Sequence, residues 1–187
     1  MSKYYKKLDT ELVFDGKWEK VYETTYQDTR DNHEFDFLTF GPGYSGGVFA
    51  VTDGEQVVLT RQYRFGVEDY VLELPGGGIA EGEDPAEAIA RELTEETGYE
   101  ISIENMTYLG FFWPMSHRSS TKHELYIATG AKKVHEPQPE REEEIETILM
   151  SLDELGAMIR KGEVHNLVLQ TLYYRYLDWK KENMTRE

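Results

Sequence analysis

The segment from Leu74 to Tyr99, LPGGGIAEGEDPAEAIARELTEETGY, constrains this chain more than any other. It opens as a glycine-rich turn behind a short apolar run and continues as a helix. Asp84 is placed to cap that helix, Pro85 to occupy its first turn and Glu87 to complete a capping box. Gly98 suits its C-terminal stop. The spacing predicts a helix over Pro85–Thr97, with Ala86, Ile89, Ala90 and Leu93 turned to a core. Glu92, Glu95 and Glu96 then stand at i, i+3 and i+4 and share one face. Like charges so placed repel, by about a few tenths of a kcal/mol per pair. A hard divalent cation offsets that repulsion, because magnesium prefers carboxylate oxygens and retained waters. By themselves the three glutamates also fit a solvated acidic face. Their position directly after Leu74-Pro75-Gly76-Gly77-Gly78 singles them out. Such a loop lets backbone approach a ligand closely, with carbonyls for a cation and amides for phosphate oxygens.

Composition narrows the class. A length of 187 residues suits one domain, alone or with a short extension. With 39% hydrophobic and 30% charged residues the chain reads as globular. No apolar run approaches a membrane span. The N-terminal MSKYYKKLDTEL has no apolar stretch behind its lysines, so no secretory signal is expected. The absence of cysteine excludes disulfides and thiolate metal sites. The cytoplasm is the expected compartment. A formal charge of −16 opposes nucleic acid and anionic membrane as partners. A phosphorylated substrate would then need local cations or bound metal.

Around the central segment the chain reads as strands, with helices at its end. Leu12–Phe14, Lys17–Tyr26 and His33–Phe40 are predicted strands, separated by turns at Asp15-Gly16 and Asp28–His33. Gly41-Pro42-Gly43 punctuates them, giving an extension over residues 1–43 and a main domain over 44–187. Gly47–Thr52 and Gln56–Tyr63 flank Asp53-Gly54 as a hairpin. Further strands are predicted at Tyr70–Leu74, Met106–Trp113, Glu124–Gly130 and Ile145–Met150. Ser151 and Glu154 form a second capping box, opening a helix to Arg160 that Gly162 breaks. A last helix is predicted over His165–Lys181. The pattern is that of an α/β (α+β) sandwich.

Gly77, Glu83, Arg91, Glu92, Leu93, Glu95, Glu96 and Gly98 match G-x5-E-x7-R-E-U-x-E-E-x-G-U, where U is apolar. Only the last position departs, as Tyr99. This segment resembles the Nudix box. The resemblance implies an α/β/α sandwich with a mixed sheet and a magnesium-dependent hydrolase, with manganese as an alternative ion. It implies Glu92 and Glu96 as principal metal ligands, Glu95 as a further ligand, and the Gly76 carbonyl beside them. Arg91 would orient the glutamates, and Glu83 and Gly98 would be structural. The base that takes a proton from water often lies on a later loop in such proteins. The run Pro139–Glu146 is similar to that acidic loop, with Glu143 the best register match, also as a metal ligand, and Glu142 next.

Arg61-Gln62-Tyr63-Arg64 followed by Leu72–Gly77 is similar to the pairing found in the ADP-ribose and nucleotide-sugar branch. Arg61, Tyr63 and Arg64 are thus candidate substrate contacts, an arginine holding diphosphate in forked geometry. Pro114, sixteen residues after Gly98, is a further mark of that branch. The loop around it departs from the usual Ser-Pro-Gly and glutamate, reading Trp113-Pro114-Met115-Ser116-His117-Arg118, which leaves His117 and Arg118 to contact phosphate. Relatives of this branch dimerise through an N-terminal extension, so a homodimer is expected. Trp18, Tyr22 or Tyr26 could stack on a base. ADP-ribose or another ADP-sugar is the expected substrate, split into AMP and a sugar phosphate. A GDP- or UDP-linked sugar, triphosphate house-cleaning and a non-catalytic nucleotide sensor are the alternatives.

Overall fold

Three antiparallel strands begin the chain: β1 (Tyr5–Asp15), β2 (Lys20–Asp28) and β3 (Glu34–Phe40), in that order. The structure is a computed structural model that describes residues 2–17, 19–139, 141 and 143–184. With the Phe112–Lys122 segment, the residues up to Tyr44 form one compact unit. β1 is much longer than Leu12–Phe14. Every residue of it is exposed, so no apolar alternation marks its start. Its register along β2 slips between Lys7 and Asp9 and again between Leu12 and Phe14, which further scrambles a period of two. β3 keeps that period, with Phe35, Phe37 and Thr39 half-buried and Leu38 and Phe40 exposed.

Ser45–Phe111 and His123–Glu187 form the second unit. Its sheet contains β4 (Tyr44–Thr52), β5 (Gln56–Arg64), β6 (Asp69–Glu73), β7 (Tyr99–Glu100), β8 (Met106–Phe112), β9 (Lys122–Lys133) and β10 (Ile145–Ser151). The order is β10-β5-β4-β9-β7, with β6 on β5 and β8 on β9. The two-residue β7 carries no periodic signal and was not expected. β10 pairs with β5 over its whole length. The other edge of β5 is shared: Val57 and Val58 face β4, whereas Thr60–Arg64 face β6. The sheet therefore parts between β4 and β6, and the chain leaving β6 turns back there.

Helix α1 (Pro85–Thr97) covers one face. Asp84 Oδ1 accepts from the Ala86 and Glu87 amides at 2.9 and 3.2 Å, and Gly98 ends the helix at φ 72°. Ala88, Ile89 and Leu93 are fully buried against Val48, Ala50 and Val58, with Ala86 and Ala90 at the margin. The alternate residues of β4 meet the opposite face. There Phe49 stacks on Tyr176 of α3 (Leu167–Met184) at 5.0 Å. Helix α2 (Leu152–Lys161) has the Ser151–Glu154 capping box, with the Glu154 amide 3.2 Å from Ser151 Oγ. α3 starts two residues later than expected, because Asn166 Oδ1 accepts from the Leu169 amide at 2.9 Å and caps it.

The turn between β6 and α1 is stitched to β4. The Val48 amide donates to the Pro75 carbonyl at 3.1 Å and the Gly46 amide to the Gly77 carbonyl at 3.0 Å. Gly76, between them, has φ 152°, and a Cβ there would collide with the Gly46 carbonyl and crowd Gly47. Glycines on both sides let two backbones meet without side chains between them. Gly76→Ala should destabilise the protein by about 2 kcal/mol or more. Gly78→Ala, which meets open space, should be neutral or stabilising by up to about 1 kcal/mol. Urea unfolding of the two variants measures the contrast; equal midpoints would contradict the packing.

Candidate active site

The stitched turn delivers its middle residue to α1. The two bonds to β4 use the Pro75 and Gly77 carbonyls, and the Gly76 amide turns the other way, to Glu96 Oε2 at 2.9 Å. Glu96 is only 5% exposed. Burial pushes its pKa up to about 8, and the charges of Glu92 and Glu143 push the same way. The Gly76 amide and the more distant Arg64 guanidinium oppose the rise without cancelling it. Glu92, one turn earlier, is half-buried. Its pKa is raised by burial, held back by Arg91 and raised further by Glu95 and Glu143. A Cβ at Gly77 would lie 2.6 Å from Glu92 Cδ, so the glycine leaves the space that this carboxylate fills.

Arg91 Nη1 sits 2.8 Å from Glu92 Oε1 and 3.0 Å from Glu95 Oε2. Its Nε reaches Glu83 Oε1 at 3.3 Å, and Glu83 Oε2 accepts from the Ala80 amide at 2.9 Å. Arg91 thus ties the helix to the end of the loop. It also holds Glu95 on the exposed side, away from the buried Glu96. Glu143, just before β10, is half-buried, and its charge acts on both Glu92 and Glu96. Glu142 and Glu140 lie outside the described residues.

Among the described residues no three carboxylate or imidazole groups already converge on one point as a finished metal cage. The donor set nevertheless suits a hard cation. Glu96 is a buried carboxylate with one amide donor and two acidic neighbours, an arrangement short of positive charge. Glu92, Glu96 and the Gly76 carbonyl are all oxygen donors, the kind that magnesium and manganese take.

The β5 candidates divide by alternation. Arg64 lies on the same side of β5 as the buried Gln62 and Thr60, and its charge reaches Glu96. Its Nε and Nη2 both contact Glu73 Oε2, at 2.7 and 2.6 Å. Arg61 and Tyr63 alternate to the other side. Arg61 pairs with Glu146 on β10 at 3.4 Å and lies 4.6 Å over the Tyr70 ring; Tyr63 packs edge-on against Phe65 and Tyr70. The Tyr63 amide donates to the Glu144 carbonyl at 3.1 Å, and the Tyr70 hydroxyl donates to the Glu144 carboxylate. Glu144 is therefore pinned one residue after Glu143. Glu73, Tyr70 and Asn166 were missed as site residues. Only Glu73 carried a signal, standing four residues before Gly77 in a stretch otherwise apolar or glycine.

Pro114 and Arg118 belong to the first unit, in the turn between β8 and β9. Arg118 Nη1 donates to the Leu38 carbonyl at 3.1 Å, and the guanidinium lies 4.6 Å from the Phe37 ring centre. A cavity of about 1420 Å³ opens within this unit. Lys3, Lys6, Lys7 and Arg118 line it, with Tyr26 and Phe35 among its aromatics and no carboxylate among the described residues. Tyr26 stacks on Phe35 at 5.9 Å. Trp18 lies outside the described residues.

A model of the NUDIX domain matches residues 41–172, which include the glycine turn, α1, Glu143 and Asn166. The chain belongs to the Nudix family. This Nudix chain is 30% identical over 162 residues to the methanol dehydrogenase activator of Bacillus methanolicus, covering 86% of each. It is 25% identical over 162 residues to the ADP-ribose pyrophosphatase of Bacillus subtilis (strain 168), again 86% of each. A match of 39% identity over 103 residues to the ADP-sugar pyrophosphatase of Mus musculus spans 50% of this chain and 47% of that one. The crystal structure of an ADP compounds hydrolase shares the fold, with a TM-score of 0.83 at 18% identity over 97% of this chain and 96% of the other. The protein is a Nudix pyrophosphohydrolase related to the ADP-ribose and ADP-sugar pyrophosphatases. Nudix hydrolases generally use divalent metal ions. No helix among the described residues is long and apolar enough to cross a membrane.

The Glu96 environment makes a linkage prediction. Its pKa rises from an ordinary 4.5 to about 8 on folding, so the folded state holds the proton more tightly. Stability from this group is fully present below 4.5 and is lost as pH rises through 8, by on the order of a few kcal/mol. Glu96→Gln should remove that loss and raise the melting temperature of chelator-treated protein at pH 8.5. Added magnesium should stabilise the natural protein most at high pH, where no proton competes, and the variant little. Thermal melts with chelator and with magnesium, across pH 5–9, measure both. A variant no more stable than the natural protein at pH 8.5 would contradict the burial cost.

Proposed function

We propose that this Nudix hydrolase cleaves the diphosphate bond of ADP-ribose or a closely similar ADP-sugar, with magnesium, releasing AMP and a sugar phosphate. The observation that carries the reading is the buried Glu96, anchored on the Gly76 amide with the charges of Glu92 and Glu143 beside it. Glu92, Glu96 and the Gly76 carbonyl would hold the ion, with the Glu143 charge beside them. Bound divalent cation supplies neutralisation of the diphosphate oxygens and a more acidic water.

The chain's own groups supply the rest. Glu143 takes the proton as a water oxygen bonds to one phosphorus. The bond from that phosphorus to the bridging oxygen breaks, and the oxygen leaves with the other phosphate. Arg64 offers a guanidinium to the diphosphate from the α1 side of β5. Arg91 holds Glu92 at a fixed rotamer rather than touching substrate. Glu95, half-exposed and paired with Arg91, would add negative charge near the ion.

The first 43 residues are assigned to an extension that joins two copies. Exposed Leu8, Leu12, Val13 and Phe14 on β1 and Leu38 and Phe40 on β3 support that reading. The basic, aromatic lining of the first unit's cavity supports contact with an anionic, ring-bearing molecule. The ADP-ribose and ADP-sugar activities named for the Bacillus subtilis and mouse relatives favour ADP as the carrier.

Incubation with ADP-ribose and magnesium should give AMP and ribose phosphate, read by chromatography, and chelator should abolish it. Glu96→Gln and Glu143→Gln should each lower kcat by about 100-fold or more, the second with KM little changed. Silence across nucleotide sugars, dinucleotides and nucleoside triphosphates would refute catalysis and favour a nucleotide sensor. Sedimentation equilibrium should report twice the mass of one chain.

A further inference from the structure

The Glu73 carboxylate is shared between two elements that are far apart in the chain. Both Arg64 contacts fall on Oε2, at 2.7 and 2.6 Å. The other oxygen, Oε1, accepts from Asn166 Nδ2 at 2.9 Å. Asn166 is itself fixed. Its Oδ1 caps α3 through the Leu169 amide at 2.9 Å, and its carbonyl accepts from the Gln170 amide at 3.2 Å. α3 is locked to the sheet by fully buried Leu169 and Leu172 and by the Tyr176–Phe49 stack. Gln170 Nε2 also holds the Val164 carbonyl at 2.7 Å, which closes the turn before the helix.

We infer that Asn166 is a positioning residue for Arg64: the cap of α3 fixes the Glu73 carboxylate, and that carboxylate aims the guanidinium. The geometry gives the reason. A carboxylate held by one oxygen turns about its last torsion, which is broad. A guanidinium that rests on the other oxygen turns with it. With Asn166 on Oε1 the torsion is set, and Arg64 meets an anion without first losing that freedom. Asn166 suits both tasks because its amide carries an acceptor for the helix and donors for Glu73. Serine or aspartate would cap as well. Neither offers an amide donor to Glu73.

The inference rests on Arg64 contacting the substrate diphosphate, and the variants separate the two ideas. Asn166→Ser and Asn166→Asp retain the cap; the serine variant should melt within about 3 °C of the natural protein, and the aspartate variant lower, because its carboxylate faces Glu73. With ADP-ribose and magnesium, both should raise KM about tenfold and change kcat less than twofold. The Arg64 Nε–H signal in a nitrogen-15 NMR spectrum, assigned by its loss in Arg64→Lys, should broaden or shift in both. An unchanged Arg64 signal in both variants would overturn the inference. So would a natural KM in both when Arg64→Met raises it. A moved Arg64 signal with a KM indifferent to Arg64→Met would uphold the positioning and refute the phosphate contact instead.

Discussion

The hydrogen bond from the Gly76 amide to Glu96 is the point on which the second unit turns. With the two backbone bonds from Val48 and Gly46 to the same turn, it brings together three pieces of chain that have no covalent reason to meet: β4, the turn after β6 and the last turn of α1. The approach is possible because Gly46, Gly47 and Gly76 put no side chains between the strand and the turn. α1 is held at that distance by Ile89 and Leu93, which are fully buried in the sheet. Core packing thus sets the distance between backbone and carboxylate. Rigid scaffolding of this kind is what a site needs if its groups are to be aimed before any ligand arrives.

That arrangement has a thermodynamic cost. A carboxylate enclosed by apolar packing and other acids resists ionisation, which is why Glu96 titrates near 8. Pairing it with an arginine would have relieved the strain, and one is close by. Arg91 instead spends its contacts on Glu83, Glu92 and Glu95 at the outer side of the helix, and Arg64 rests on Glu73. The innermost carboxylate is left short of positive charge. Local stability is given up where chemistry requires an open, negative centre.

Charge is also distributed unevenly. A chain with formal charge −16 collects Lys3, Lys6, Lys7 and Arg118 around one cavity of its first unit, while the acids of its second unit cluster on α1 and before β10. Net charge argues against a polyanionic partner such as nucleic acid. It does not describe the local field at either place. A small anion with a ring would meet cations and aromatic faces in the first unit.

The sequence by itself determined the segments whose signals are local. The span of α1 and its caps follow from residue chemistry at fixed spacing, as does the capping box of α2. The Nudix pattern is legible for the same reason, since all its positions fall in one short stretch. Other features depended on distant partners. β1 was seen only in part because an exposed, bulged strand has no apolar period, and β7 is too short to have one. Helical spacing puts Glu95 beside Glu92 and Glu96, but an arginine one turn away decides that it faces outward. Alternation along β5 separates Arg64 from Arg61, and only the position of α1 tells which side matters. Asn166 meets Glu73 across ninety-three positions of chain. Only the tertiary structure reveals that contact, because side chains so far apart in sequence meet only where the packed core brings their backbones together.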